Sequence, residues 1–257
     1  MYINKIIKMK NNKYKIVIDD FDIITYDNVI LENDLLYKKS IDKDLYKKIL
    51  LDTSYYEIYN KTVKYILKRR RSQKEVEKYL SKYDIDNTKK EKVVSKLKDI
   101  KLINDIEYCK AYINDKLYLG TTGINKIKKD LLNQNISIEI IDDCIEKIDK
   151  DVINNKLESI IIKKIKSNTK YSKYYLKQKV LNEMVNLGYN REDILTIIEE
   201  NLQDDGDILI KEFNKIYSNL SKKYSGYELD NKIKQKLIIK GFKIEEIDIL
   251  IKEKTGE

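Results

Sequence analysis

The chain has 257 residues, 42% of them apolar and 37% charged, so it can bury a real core over one or two domains and is too rich in Ile and Leu to be disordered. It contains no histidine, no tryptophan and no proline, which excludes imidazole catalysis, Ser-His-Asp chemistry and histidine-ligated metals, and leaves long helices few breakers. A net charge of +9 and a pI near 9.0 favour an acidic partner such as nucleic acid, a membrane surface or an acidic protein.

Met1–Lys10 has no signal-peptide pattern, and no apolar run approaches the ~18 residues needed to span a bilayer. Cys109 and Cys144 form neither a CxxC nor a disulfide framework, so a soluble protein of the reducing cytoplasm is expected. Ile3–Met9, Tyr14–Ile18 and Ile23–Tyr26 are short and rich in Ile, Val and Tyr. The turn-like pairs Asn11-Asn12 and Asp19-Asp20 separate them, so they read as antiparallel strands. So small a sheet needs a helix to pack on, and Asp27–Lys39 is the expected one.

From about Asp52 the pattern turns helical and repeats. Each period reads as three helices, with a glycine-like turn and then an aromatic or Ile between the second and third. Those anchors are Ile85, Ile136, Tyr189 and Phe242, separated by 51, 53 and 53 residues. Nine positions earlier stand Val76, Ile127, Val180 and Ile233; five earlier, Leu80, Leu131, Met184 and Leu237. Eight and nine later stand Val93-Val94, Cys144-Ile145, Ile197-Ile198 and Leu250-Ile251. Such spacings put the apolar side chains on one helix face toward a shared core. Gly188 and Gly241 precede their anchors, where a left-handed helix cap would fall, and Asp84 and Asn135 hold that place in the other periods.

The expected fold is therefore mainly α: tandem three-helix repeats in an elongated curved array, with a small N-terminal antiparallel strand unit. The divisions are 1–50 for the strands plus helix, then 51–101, 102–151, 152–203 and 204–257 for the four repeats.

Charge is concentrated in the first repeat. Residues 61–101 carry fifteen Lys/Arg and six Asp/Glu, a net of +9 that equals the charge of the whole chain. Three of only four arginines, Arg69, Arg70 and Arg71, are consecutive there, in a chain whose Lys, Ile, Asn and Tyr bias fits an AT-rich gene. Lys does not replace the guanidinium fork at phosphate or carboxylate. Favourable charge at a helix C-terminus, about 0.3–1 kcal/mol each, accounts for one arginine better than for three. Ser72 and Glu75 have the spacing of a capping box that starts the next helix, and Lys74 and Lys78 share a helix face.

A second basic stretch, residues 161–182, has seven Lys and no acid, with Tyr171, Tyr174 and Tyr175 among them. Lys163, Lys164, Lys170 and Lys173 are its candidate contacts, since cations with aromatics can track single-stranded nucleic acid. Surface lysines with packing tyrosines are the simpler reading in a chain with 21 Tyr. Tyr55, Tyr56, Tyr59, Tyr65 and Tyr79 read as core or amphipathic surface too. The cluster Asp204-Asp205-Gly206-Asp207 lacks the spacing of a calcium loop and reads as an inter-helix turn. Asp19-Asp20 reads as a hairpin turn and Asp142-Asp143 as an early helix turn. No P-loop or dinucleotide fingerprint is present. An enzyme is not expected, and no catalytic, cofactor or metal residue is assigned.

The segment YILKRRRSQKEVEKYL (Tyr65–Leu80) resembles the signature of the RecX regulatory proteins, in which an apolar helix end, paired arginines and a Ser precede a Glu/Leu-periodic helix. Leu102–Ile113 (LINDIEYCKAYI) and Gly123–Leu131 (GINKIKKDL) are similar to two further stretches of that family. The N-terminal strands and the extra repeat resemble its longer Gram-positive type. Lys101 stands where the family often has Gly, Ile85 has no preceding Gly, and repeats three and four are more divergent.

The resemblance implies a non-enzymatic inhibitor of the RecA recombinase in recombination, DNA repair and the SOS response. Such a protein lies in the groove of the RecA–single-stranded-DNA filament and limits filament growth, strand exchange and ATP turnover. Partners are then the RecA filament and single-stranded DNA, with duplex DNA as a wider option and a monomer as the expected state. Arg69, Arg70, Arg71, Lys74 and Lys78 are the foremost contact residues. A general nucleic-acid-binding helical protein without a recombinase partner is the alternative, and a nuclease a weaker one.

Overall fold

Residues 1–26 form three antiparallel strands in sequential order, β1 (Ile3–Lys8), β2 (Lys13–Ile18) and β3 (Phe21–Tyr26), in a computed structural model that describes residues 1–19, 21–202 and 206–255. Asn11 and Asn12 both take positive φ, 60° and 56°, as a tight hairpin matching the sheet's twist requires. Asp19 also has positive φ (43°), while Asp20 lies outside the described residues. Ile16, Ile18 and Ile23 fill the inner face of the sheet.

The single helix expected over Asp27–Lys39 is corrected. A short α1 (Asp27–Glu32) ends at Asn33, and a 3-10 turn (Leu35–Tyr37) follows Asp34, whose φ is 51°. The Asn33 carboxamide donates back to the Val29 carbonyl (3.0 Å) and across to Asp52 (3.2 Å), so the side chain competes with the helix ladder.

Helix α2 (Lys43–Leu67) starts earlier than the expected onset near Asp52, because Asp42 caps it by accepting from the Leu45 N–H at 2.7 Å. Its first half packs Ile49 and Tyr56 under the sheet, and its second half carries Ile58 and Ile66 into the first repeat. The buried Tyr56 hydroxyl donates to Glu32 of α1 and accepts from Lys96 at 2.9 Å. Burial, reinforced by Glu32, pushes the Tyr56 phenol far above its ordinary range.

Three helices per period follow. The first repeat adds α3 (Gln73–Leu80) and α4 (Asn87–Asp99) to α2. The second has α5 (Asp105–Ile113), a π-helical turn (Asn114–Leu119), α6 (Ile124–Asn133) and α7 (Ile138–Glu146). The third has α8 (Lys150–Lys166), α9 (Lys173–Asn186) and α10 (Arg191–Asn201); the fourth, α11 (Gly206–Leu220), α12 (Gly226–Ile239) and α13 (Ile244–Thr255). All eight residues five and nine before the anchors are buried, as helical spacing demands. Ile136, Tyr189 and Phe242 are buried too, whereas Ile85 is half-buried.

The chain packs as two compact units, residues 1–111 with 133–137, and residues 112–132 with 138 onward. The first holds the sheet core and a repeat core around Val76, Leu80, Val93 and Leu97. In the second unit, Leu157, Ile161, Val180 and Met184 centre one core, and Phe213, Ile233, Leu237 and Ile247 another.

One contact recurs within the units: the start of a middle helix sits on the end of the next repeat's middle helix. In the first unit the Ser72 hydroxyl donates to the Gln134 carboxamide oxygen at 2.9 Å. In the second, Gly123 donates to the Leu187 carbonyl (2.7 Å) and Ser172 to the Lys240 carbonyl (3.0 Å). Residues before the anchors shape these helix ends: Asn135, Gly188 and Gly241 have φ of 61°, 91° and 87°. Asp84 is the exception. It is not among the positive-φ residues, and the chain leaves α3 by a Tyr83-to-Leu80 turn bond instead.

Lys101 does take the left-handed conformation (φ 58°), closing α4 as Leu102 donates to the Leu97 carbonyl at 2.9 Å. A lysine bears steric strain there that glycine avoids. Lys101→Gly is therefore expected to stabilise the protein by about 0.5–1 kcal/mol in urea unfolding. A loss of stability would mean that the Lys101 side chain has a packing role.

Candidate partner and nucleic-acid interface

The arginine run is a corner pinned at both ends. Lys68 caps α2, and the Arg69 N–H donates to the Ile66 carbonyl at 3.2 Å. Buried Ser72 starts α3 through the expected capping box: its hydroxyl accepts from the Glu75 N–H, and the Glu75 carboxylate accepts from the Ser72 N–H, both at 3.1 Å. Glu75 is thereby fixed as an acceptor, and Arg69 (2.5 Å) and Arg71 (3.3 Å) both reach it.

The three arginines have different fates. The Arg71 guanidinium lies over the Tyr65 ring at 4.1 Å, Tyr65 stacks on Tyr79 at 4.1 Å, and the Tyr79 hydroxyl meets that of Tyr83 at 2.7 Å. Only 14% of the Arg71 side chain is exposed, and its buried Nε has no hydrogen-bond partner among the described residues. Burial, then the hydrogen bond to Tyr83, pushes the Tyr79 phenol up to about 12. Arg70 instead is 62% exposed and among the described residues meets only Glu107, at 3.7 Å, an ion pair worth about 0–1 kcal/mol. Arg69 is intermediate, held by Glu75 yet 54% exposed.

This split predicts that Arg71→Ala costs about 2 kcal/mol of stability, because both the stacking on Tyr65 and the packed aliphatic stem disappear. Arg70→Ala should fall within about 0.5 kcal/mol of the parent. Denaturant midpoints measure both, and equal losses would contradict the assignment of Arg71 to packing.

Lys74 and Lys78 extend the corner along α3. The Lys74 ammonium donates to the Asn133 carbonyl at 2.7 Å, satisfying the end of α6. The Lys78 ammonium has no hydrogen bond or ion pair among the described residues. Both line a groove of about 420 Å³ whose walls include Tyr65, Tyr79, Gln134 and Lys82. Lys82 was missed from the sequence, although it continues the four-residue spacing of Lys74 and Lys78 past the end of α3.

The second basic stretch lies in the other unit. Lys163 and Lys164 end α8, Lys170 is in the following loop, and Lys173 begins α9. Lys164 pairs with Glu183 at 2.5 Å, while Lys163, Lys170 and Lys173 are exposed. Asn168 shapes the loop by accepting from the Tyr171 N–H (3.1 Å) and donating to the Tyr171 carbonyl (2.8 Å). Tyr171 stacks on Tyr175 at 4.7 Å, with the Lys179 ammonium 4.9 Å from its ring. In the fourth repeat Lys232 lies 4.4 Å from the Tyr224 ring at the same spacing. The eight-residue Tyr-to-Lys interval was the sequence signal of this packing motif. Tyr174, 70% exposed, is the most exposed tyrosine of this stretch, ahead of Tyr175 at 38%.

Among the described residues no group of His, Cys, Asp or Glu could hold a metal ion, and no helix is long and apolar enough to cross a membrane. Asp142 and Asp143 sit mid-helix in α7, where they pair with Lys128 and Lys147, each at 2.6 Å. Asp204 and Asp205 lie outside the described residues; Gly206 and Asp207 open α11.

The regulatory protein RecX of Bacillus cereus is 30% identical over 261 residues, covering 97% of this chain and 96% of the relative. That of Bacillus mycoides is 29% identical with the same coverage, and that of Bacillus cytotoxicus 30% identical over 89% of this chain and 86% of its own. A crystal structure of a regulatory protein RecX matches the fold with a TM-score of 0.67 at 19% identity, over 77% of this chain and 98% of that one. RecX from Lactobacillus salivarius matches with 0.52 at 25% identity, over 57% and 95%. No family model matches the sequence.

Proposed function

The chain belongs to the RecX family of regulatory proteins, and on that premise we propose that it modulates the RecA recombinase in the cytoplasm, without chemistry of its own. In this reading a monomer lies in the groove of the RecA–single-stranded-DNA filament and limits filament extension, strand exchange and ATP turnover.

The observation that carries the reading is the corner at Arg69–Lys78. Pinned backbone at both ends presents Arg70 and Lys78 to solvent with weak or no internal partners, beside a groove edged by further lysines. The backbone beneath these cations is already fixed by the helix caps, so only side-chain freedom is lost when they meet phosphates or carboxylates. The local net charge of +9 over residues 61–101 raises the rate of such encounters.

The single-stranded-DNA-dependent ATPase of the cognate RecA, titrated with this protein below one per RecA, tests it. Inhibition at such ratios is expected, because blocking growth at a filament end silences many subunits. A general nucleic-acid binder is the second reading, favoured by exposed Tyr174 beside Lys170 and Lys173. Salt-sensitive binding to bare DNA with no effect on RecA turnover would select it.

A further inference from the structure

We propose that the open edge of β1 docks an extended, acidic segment of a protein partner as a fourth strand of the sheet. The order β1-β2-β3 leaves β1 at an edge, while α1 and α2 pack against β2 and β3. The ladder tells which backbone groups of that edge are open. The Met9 N–H donates to the Lys13 carbonyl at 2.8 Å, so these two residues form a hydrogen-bonded pair. Antiparallel pairs alternate, so Ile7 with Lys15 and Lys5 with Val17 are hydrogen-bonded pairs too. The N–H and C=O of Ile6 and Lys8 therefore point away from β2.

Alternating donors and acceptors at strand spacing are matched in series by another extended polypeptide. The start of this edge already works that way. Tyr2 bridges to Ser40, with Ile3 donating to the Lys39 carbonyl and Ile41 to the Met1 carbonyl, both at 2.9 Å. Before Lys39 the chain turns off into the 3-10 turn at Leu35–Tyr37, and the pairing goes no further along β1. Side chains then select the charge. Lys5 and Lys8 flank Ile6 and Ile7, project from opposite faces, and are exposed with no side-chain partner among the described residues. In an antiparallel newcomer, two acids three residues apart meet both lysines, and the two residues between them stand opposite Ile7 and Ile6. Ile6 packs against the sheet core yet is only half-buried, so an apolar neighbour there extends its cover. A second copy of β1 fits poorly, because antiparallel pairing of this segment with itself sets Lys5 against Lys8. The other edge, β3, carries Asp22 and does not share the charge.

This site uses no residue of the Arg69–Lys78 corner and does not rest on the RecA reading. Its test adds the peptide acetyl-Gly-Glu-Val-Val-Glu-Gly-amide to the full chain and follows amide hydrogen exchange by NMR. At nine-tenths occupancy the Ile6 and Lys8 amides should exchange about tenfold more slowly, whereas Ile7 and Met9, already bonded to β2, should not change. Lys8→Pro removes an outward N–H and no ladder bond, so it should leave the fold intact and weaken peptide binding at least about tenfold. Lys5→Glu with Lys8→Glu should weaken binding as much and shift the preference to the same peptide with Lys in place of Glu.

No slowing at Ile6 and Lys8 with peptide up to about 10 mM would overturn the proposal, as would equal slowing by the Glu and Lys peptides. Slowing that grows with protein concentration when no peptide is present would make a second copy the occupant, and would overturn it too. The side chains of Lys5 and Lys8 are exposed, so an unchanged melting temperature is expected for the variants. None of these readouts involves RecA, so this proposal and the RecA reading fail separately.

Discussion

Gly188→Ala is expected to lower the unfolding free energy by about 3–5 kcal/mol. Two costs combine. Gly188 has φ +91°, where any Cβ is strained by about 1–2 kcal/mol. That Cβ would also stand 2.5 Å from both the Cβ and the backbone N of Lys126, so the first turn of α6 would have to retreat. Retreat breaks the hydrogen bonds from Gly123 to Leu187 (2.7 Å) and from Asn125 to Gly188 (3.0 Å), each worth about 1 kcal/mol. Gly123 offers no slack, since a Cβ there would lie 2.5 Å from the Gly188 carbonyl carbon and oxygen.

Gly226 is the control. Its φ is +51°, but nothing lies within 4 Å of a Cβ built on it, so Gly226→Ala should cost only the backbone term, about 1 kcal/mol. Gly241→Ala should fall between, because its Cβ would meet the Ser172 Oγ, which can rotate away, and the Tyr175 Cβ, which cannot, both at 2.6 Å. Urea unfolding followed by far-UV circular dichroism ranks the three. Equal losses for Gly188→Ala and Gly226→Ala would show that close approach between repeats is not what makes this glycine necessary.

Removing the two exposed cations of the corner, Arg70→Ala with Lys78→Ala, is expected to raise the concentration needed for half-inhibition of RecA about 100-fold. Two charge-assisted contacts of about 1.5 kcal/mol each supply that factor. Among the described residues neither side chain has a partner worth more than a weak surface pair, so melting should stay within a few degrees of the parent. Replacing all three arginines confounds this test, since Arg71→Ala loosens the Tyr65–Tyr79 pile while it removes charge. Inhibition by the double variant at the parent's ratio, with folding intact, would move the contact surface away from this corner.

Much of the fold was legible because its determinants are local. The anchors and the apolar residues five and nine before them follow from helical period alone. Ser72 and Glu75 declared their capping box by spacing, and Asn11-Asn12 declared a hairpin turn by residue type. Errors arose where a distant group intervened. Asn33 ends α1 in part by bonding to Asp52, and Asp84 does without the left-handed cap that its position in the repeat suggested.

The sequence by itself determined a mainly helical, repeating chain with its excess charge in the first repeat, since period, capping and charge are properties of neighbouring residues. Tertiary structure alone decided which of those charges are exposed and which are packed. Arg70 and Arg71 are adjacent and chemically identical, yet one is exposed and the other lies on Tyr65. It also decided why Gly123 and Gly188 must be glycines, because two backbone segments remote in sequence meet there with no room for a Cβ. Burial and close approach depend on which segments meet in space, and no local pattern of residues encodes that.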